Sequence, residues 1–248
     1  MRARVGHIGS ALSISGILAA MYEGALKADR PDDPDRDRFI LSKGHAALAL
    51  YAALHLRGWL SADQLDTYCA DNTLLGVHPD SELTGVDFSS GSLGHGLSIG
   101  VGAALAARMQ GSKRRVVVLV SDAECDEGSL WEAVMLAAHH RLGNLLAIVD
   151  LNGQQALGYT KDVLALDPLG DRWSAFGWEV LHVDGHDVPA LTKAVASLQE
   201  RPAAPHVVIA HTVFGHGVSY MRNLIKWHYL PMSQADYEVA LNDIKSLQ

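Results

Sequence analysis

Cysteine is nearly absent: Cys69 and Cys125 are the only two in 248 residues, and they sit in unlike contexts. That count excludes a disulfide framework and the paired spacing of a structural metal site, and it makes a reducing cytoplasm the default compartment. Clusters of positive charge are absent too. With 20 Lys and Arg against 28 Asp and Glu, the net charge is −8, which excludes nucleic acid as a partner because neutralising phosphates needs grouped Lys and Arg. No run reaches the roughly 20 apolar residues needed to span a bilayer, so a membrane role is excluded as well. Arg2 and Arg4 ahead of the apolar run Ile8 to Tyr22 imitate a secretory leader, but the Gly and Ser content of that run and the embedded His7 argue against one. No Pro/Gly/Ser-rich linker divides the chain, so residues 1–248 are expected to form a single domain.

What is present is a pattern of alternating strands and helices. Residues 7–27 read as one small-residue helix, closed by the charged turn 29–37, whose Pro31 and Pro34 no helix could continue through. Phe39 to Ser42 is a short strand leading into a helix over Ala46 to Leu56, and Ser61 caps a second helix expected to run to Cys69. A long loop rich in Gly, Ser and Asp fills 71–96; loops of that length inside a domain are usually functional. The next helix, Leu97 to Met109, carries Gly100 and Gly102, which cost helix stability but admit a close neighbour. Arg115 to Val120 is a β-branched run of the kind buried on both faces of a parallel sheet, Ser129 to Arg141 is helical, and Leu145 to Asp150 is a second such strand. Further strands at Trp178 to Val183 and His206 to Ala210, with a helix at Pro189 to Leu198, complete a doubly wound, mostly parallel α/β sheet flanked by helices.

Such sheets bind ligands beyond the carboxyl ends of their strands. Asp122 stands at one such end and Asn152 at another. A carboxylate, an amide oxygen and a backbone carbonyl from the following turn, best placed at Gln154, suit a magnesium ion that takes its remaining ligands from a diphosphate and water. Taken alone, Asp122 reads equally as a helix cap and Asn152 as a turn residue. The surrounding residues favour the metal. Ser121-Asp122-Ala123-Glu124, then Glu127-Gly128-Ser129-Leu130-Trp131-Glu132-Ala133, Asn144-Leu145 and Asp150-Leu151-Asn152-Gly153-Gln154 resemble the thiamine-diphosphate signature of the transketolase family. Gly6-His7-Ile8-Gly9, Leu41-Ser42-Lys43-Gly44-His45, Gly76-Val77-His78-Pro79, Gly91-Ser92-Leu93-Gly94-His95-Gly96, Asp184-Gly185-His186-Asp187 and Trp227-His228 also resemble transketolase segments, in the family's order.

The resemblance implies a thiamine-diphosphate and Mg2+ binding fold. Asp122, Asn152 and the Gln154 carbonyl would hold the metal; His45 and His228 would reach the diphosphate, with Ala123 and Glu124 beside it. The segment Gly91-Ser92-Leu93 would contact the cofactor, the backbone of Gly91 and Leu93 facing the aminopyrimidine. Glu127 matches a glutamate near the family's subunit interface, and His7 and His78 match histidines that contact sugar hydroxyls, a task suited to imidazole. His139, His140, His182 and His206 read as bland. The implied reaction moves a two-carbon ketol unit from a ketose to an aldose.

Three departures stand out. Ser121 and Ala123 replace the glycines of the usual Gly-Asp-Gly, which weakens the cofactor site only if the backbone there needs positive φ or the diphosphate packs on that Cα. Phe214 and His216 stand where lysines are common, and Tyr229 where glycine is. Nothing after Gln248 resembles the family's pyrimidine-binding and C-terminal domains, so the resemblance implies the N-terminal subunit of a split transketolase, working with a C-terminal-half partner as α2β2 on sugars or sugar phosphates. Alternatives are a degenerate, non-catalytic subunit and the α subunit of a 2-oxo acid dehydrogenase, which the Leu41 to His45 and Trp227-His228 segments disfavour. The weakest is a nicotinamide-binding protein, since no Gly-x-Gly-x-x-Gly follows the first strand.

Overall fold

The computed structural model describes residues 3–198 and 203–247, so Arg2 lies outside them. Helices α1 (Ile8–Ser13) and α2 (Ser15–Ala20) and a π-helical turn over Met21–Ala25 open the chain. The single helix expected over 7–27 is therefore broken. Ile14, at φ −99 and ψ 4, leaves helical geometry between α1 and α2, and the resulting bend lets Ile14, Ile17, Leu18 and Met21 all turn inward. Strand β1 (Arg38–Leu41) passes through a 3-10 turn into α3 (Ala47–Leu56). Helix α4 (Ala62–Leu65) begins as expected, the Ser61 hydroxyl accepting from the Gln64 N–H at 3.1 Å and the Gln64 side chain accepting from the Ser61 N–H at 3.0 Å. It ends after one turn, short of the expected Cys69. That residue adopts left-handed backbone, φ 56, and gives its N–H to the Leu75 carbonyl.

Residues 70–95 contain no helix or strand. The chain then runs through α5 (Gly96–Met109), β2 (Val116–Ser121), α6 (Gly128–His139) and β3 (Leu145–Leu151). A small hairpin of β4 (Gln154–Gln155) and β5 (Gly158–Tyr159) and two short helices, α7 (Thr160–Val163) and α8 (Leu169–Ala175), precede β6 (Glu179–Asp184), α9 (Val188–Leu198) and β7 (His206–His211). Helix α10 (Gln234–Lys245) comes last.

The five longer strands form one sheet in the order β1-β2-β3-β7-β6, every neighbouring pair parallel. Alternation along the strands feeds two cores. Val117, Leu119, Leu146, Ile148, Val208 and Ala210 pack with α2, α3 and α9. Val116, Val118, Val120, Leu145, Ala147, Val149, Val207 and Ile209 pack with α5, α6 and α8 on the other face. A third, smaller cluster of Phe214, Val218, Met221, Trp227 and Ala240 seats α10. Strand order reverses between β3 and β7, and the carboxyl ends of these two strands, with that of β2 alongside, form the switch point at which ligands bind in open α/β sheets.

Two of the glycines of α5, Gly100 and Gly102, do different things. A Cβ on Gly100 would sit 2.4 Å from the Val118 side chain, whereas one on Gly102 would meet nothing within 4 Å. Gly100→Ala should therefore destabilise the fold by about 1–3 kcal/mol through overpacking. Gly102→Ala should stabilise it by up to about 1 kcal/mol through helix propensity. Urea-unfolding midpoints that move in opposite directions are the expected result.

Candidate active site

The site grows from the ends of β1, β2, β3 and β7. Near the end of β3, Asp150 is completely buried, and its carboxylate takes four donors: the Ser13 hydroxyl at 2.6 Å, the Thr212 hydroxyl, the Lys43 ammonium and the Asn152 amide at 2.8 Å. Lys43, from the end of β1, is itself only 1% exposed. A buried charge is tolerable only when paired and hydrogen-bonded, and here both conditions hold. Asn152 turns its carbonyl oxygen the other way, to the Gln154 N–H at 2.9 Å.

Asp122 follows β2 at helical backbone angles, φ −59 and ψ −42. Its carboxylate accepts from the N–H groups of Ala123 at 2.8 Å and Gly153 at 2.6 Å, which ties the β2 end to the β3 end. Burial, then the neighbouring Asp150, pushes its pKa up to about 7. A carboxylate held this far from water beside a second one gains from a cation. Neither Ser121 nor Ala123 has positive φ, so both tolerate side chains without backbone strain; both line the cavity, and the Ser121 hydroxyl accepts from the Glu124 N–H at 3.1 Å.

Glu124 turns inward. Its carboxylate accepts from the Ser42 hydroxyl, from the Gly94 N–H at 2.7 Å and from the Ser121 N–H at 3.3 Å, so it fastens the 91–96 segment to β1 and β2 rather than facing the cavity. Gly94 is required there, at φ +83, and an added Cβ would lie 2.8 Å from Glu127 Cβ. Of this segment, Leu93 lines the cavity, while Gly91 and Ser92 are exposed beyond its lining.

Three histidines converge. The rings of His7, His45 and His228 lie 5.3–5.6 Å apart, centre to centre. His45 sits in the 3-10 turn after β1 and His228 in another over Ile225–His228. His7 occupies left-handed backbone, φ 64, and donates its N–H to the His228 carbonyl at 3.1 Å. Such strain in a non-glycine residue concentrates at functional sites. Phe214 stacks parallel to His228, and Tyr229 lies against both His7 and His228. His78, exposed, reaches the same space from the long loop, which the Tyr51 hydroxyl pins by donating to the carbonyls of Gly76 and His78 at 3.1 Å each.

Together these surround a cavity of about 510 Å3, walled by His7, Lys43, His45, His78, Leu93, Asn152, Gln154 and His228, with Glu127 among its exposed lining residues and Leu157, Val163, Leu164 and Tyr229 adding apolar surface. Asp122 lies just behind the wall, between Ser121 and Ala123. His216 is not part of it: its ring stacks on His186 at 3.5 Å. Burial, followed by nearby positive groups, holds His7 and His45 below the ordinary imidazole range and takes His228 down to about 4.

Several polar atoms around this space are buried without a partner: Nδ1 of His7, Nδ1 of His228 and both ends of the Gln154 side-chain amide. They leave the wall of this space polar and incompletely satisfied by the protein's own groups. Among the described residues no three His, Cys, Asp or Glu side chains assemble a metal cage. The residues thus fit thiamine diphosphate and a divalent cation. Sequence reasoning placed the histidines, Asp122 and Asn152 in one site; it missed the Lys43–Asp150 pair, Ser13, Thr212 and the Gln154 side chain. An ionic residue ending an apolar strand, as Asp150 does, was the available signal.

A doubly wound sheet with this cavity defines a thiamine-diphosphate-binding domain. Residues 1–244 match the family described as transketolase, thiamine diphosphate binding domain. One of the subunits of the apulose-4-phosphate transketolase of Phocaeicola vulgatus is 40% identical over 98% of this chain and 87% of that protein. A 6-deoxy-6-sulfo-D-fructose transketolase subunit of a Clostridium species is 39% identical over 97% of this chain and 89% of that protein. Among solved structures, Campylobacter jejuni transketolase superposes with a TM-score of 0.92 at 29% identity, covering 98% of this chain but 40% of that one. The chain belongs to the transketolase family, as its N-terminal, thiamine-diphosphate-binding part.

The lowered imidazole basicity has a consequence for stability. His228 titrates near 6.5 when unfolded and about 4 when folded, so the folded chain binds fewer protons between those values. Its contribution is whole above pH 6.5 and is lost as pH falls toward 4. Melting temperature of the ligand-free chain should drop across that window, and His228→Asn should make the drop shallower.

Proposed function

We propose that this chain is the cofactor-binding subunit of a two-component, cytoplasmic transketolase-type enzyme that transfers a two-carbon ketol unit from a ketose to an aldose. The observation that carries this reading is the convergence of His7, His45, His228, Lys43 and Asn152 on one cavity at the sheet's switch point, with Asp122 directly behind it. Asp122, Asn152 and the backbone carbonyl of Gln154 would hold Mg2+, while His45 and His228 would bind the diphosphate. Leu93, with Gly91 and Ser92 at the rim, would meet the aminopyrimidine. Bound thiamine diphosphate supplies the carbanion chemistry of the two-carbon transfer. The protein's part is to fix and orient. His7 and His78 would orient the sugar's hydroxyls, and burial holds the His7 imidazole below its ordinary range, which favours the uncharged ring.

Glu127, exposed at the cavity lining, would meet the partner across a subunit interface. A C-terminal-half partner, two copies of each chain, would close the cavity against the exposed Leu157, Leu164 and Tyr229. The relatives' named sugars carry a phosphate in one case and a sulfo group in the other. Among the residues lining this cavity Lys43 is the only Lys or Arg, and Asp150 already holds it. An anionic sugar terminus would therefore be gripped by the partner's half.

Asp122→Ala should weaken magnesium-dependent retention of thiamine diphosphate by about 100-fold or more, the upper end of what even an outer hydrogen-bond partner of a metal site costs. Retention by equilibrium dialysis that is unchanged in this variant overturns the site assignment. A wild-type complex that retains no thiamine diphosphate would favour a degenerate, non-catalytic role.

A further inference from the structure

We propose that Lys43 is a positioning residue that, through Asp150, fixes which end of the Asn152 amide faces the metal site. The inference rests on the metal assignment proposed above. An asparagine amide can present oxygen or nitrogen, and only oxygen binds a divalent cation such as magnesium. Which one it presents is decided by what grips the other end.

The grip is a relay of hydrogen-bond polarity. Lys43 can only donate, and its sole hydrogen-bond partner among the described residues is Asp150 Oδ2. An oxygen is thereby required at that position. An ionised Asp150 can only accept, and the same Oδ2 takes the Asn152 Nδ2 at 2.8 Å, while Oδ1 is filled by Ser13 and Thr212. The amide must therefore turn its nitrogen inward and its oxygen outward. The Gln154 N–H, donating to Asn152 Oδ1 at 2.9 Å, supports the same orientation from the other side. Lys43 touches no metal ligand directly. It acts two hydrogen bonds away, from a position that is 1% exposed.

Lys43→Met/Asp150→Asn removes both ends of the relay without leaving a lone buried charge, so the fold should be retained. In that variant the residue-150 amide can donate toward residue 152, and the Asn152 amide is free to turn its nitrogen outward. The test is binding of Mn2+ by the full chain as purified from its host, with thiamine diphosphate present, followed by the electron paramagnetic resonance of free Mn2+. Affinity should fall about 10–100-fold, the usual effect of removing a partner that orients a metal ligand. Adding Asn152→Asp should restore it, because a carboxylate offers oxygen whichever way it turns.

Wild-type affinity in the double variant overturns the proposal. So does a loss that Asn152→Asp does not relieve, which would mark the pair as merely structural. If Asp122→Ala binds Mn2+ like the wild type, the metal assignment itself fails, a result separable from the others. Far-ultraviolet circular dichroism of each variant establishes that the comparison is between folded proteins.

Discussion

A carboxylate and an ammonium group held together out of water are what the rest of this site hangs on. Asp150 and Lys43 are each almost wholly inaccessible, and removing one partner of such a pair costs about 3–5 kcal/mol because the other charge is left uncompensated. The pair joins the ends of β1 and β3, and through Ser13 and Thr212 it also reaches α1 and the residue after β7. Four elements distant in sequence are thus fixed at one point. The histidines, the loop after β2 and the turn after β3 are arranged around it.

The same region is electrostatically unsatisfied in a directed way. Among the described residues Asp122 has no ion-pair partner, and the histidines nearby are held neutral by burial and by neighbouring positive groups, Lys43 among them. A cation beside Asp122 and an anion beside the imidazoles each relieve part of this. A metal bound to a diphosphate would bring both at once, which is why the proposed ligand would suit the site better than either ion alone.

Much of the fold was legible because doubly buried strands cannot hide. Val116 to Val120 and Leu145 to Val149 are unbroken apolar runs, and both lie inside the sheet. Helix α10 is harder to read: Gln234, Asp236, Glu238, Asn242, Asp243 and Lys245 break up any apolar period, and only the cap at Ser233 and Asp236 marks its start. The small hairpin and α7 have too few residues to carry a period. At the site, motif segments gave the histidines and Asp122, yet Lys43 and Asp150 are 107 residues apart and no local rule joins them. The left-handed backbone of His7 was equally hidden, since it is held by the carbonyl of His228 and not by its own neighbours. Ser121 and Ala123 are a further case: the cost of replacing glycine depended on φ, which only the structure supplies.

The most direct test of the central claim is to purify the tagged chain from its host, identify what accompanies it, and assay the preparation for bound thiamine diphosphate, magnesium and two-carbon transfer between sugars. The account predicts a near-stoichiometric second polypeptide, both cofactors present, and ketol transfer that the chain alone does not support. A chain that elutes alone, binds no thiamine diphosphate and transfers nothing would contradict it.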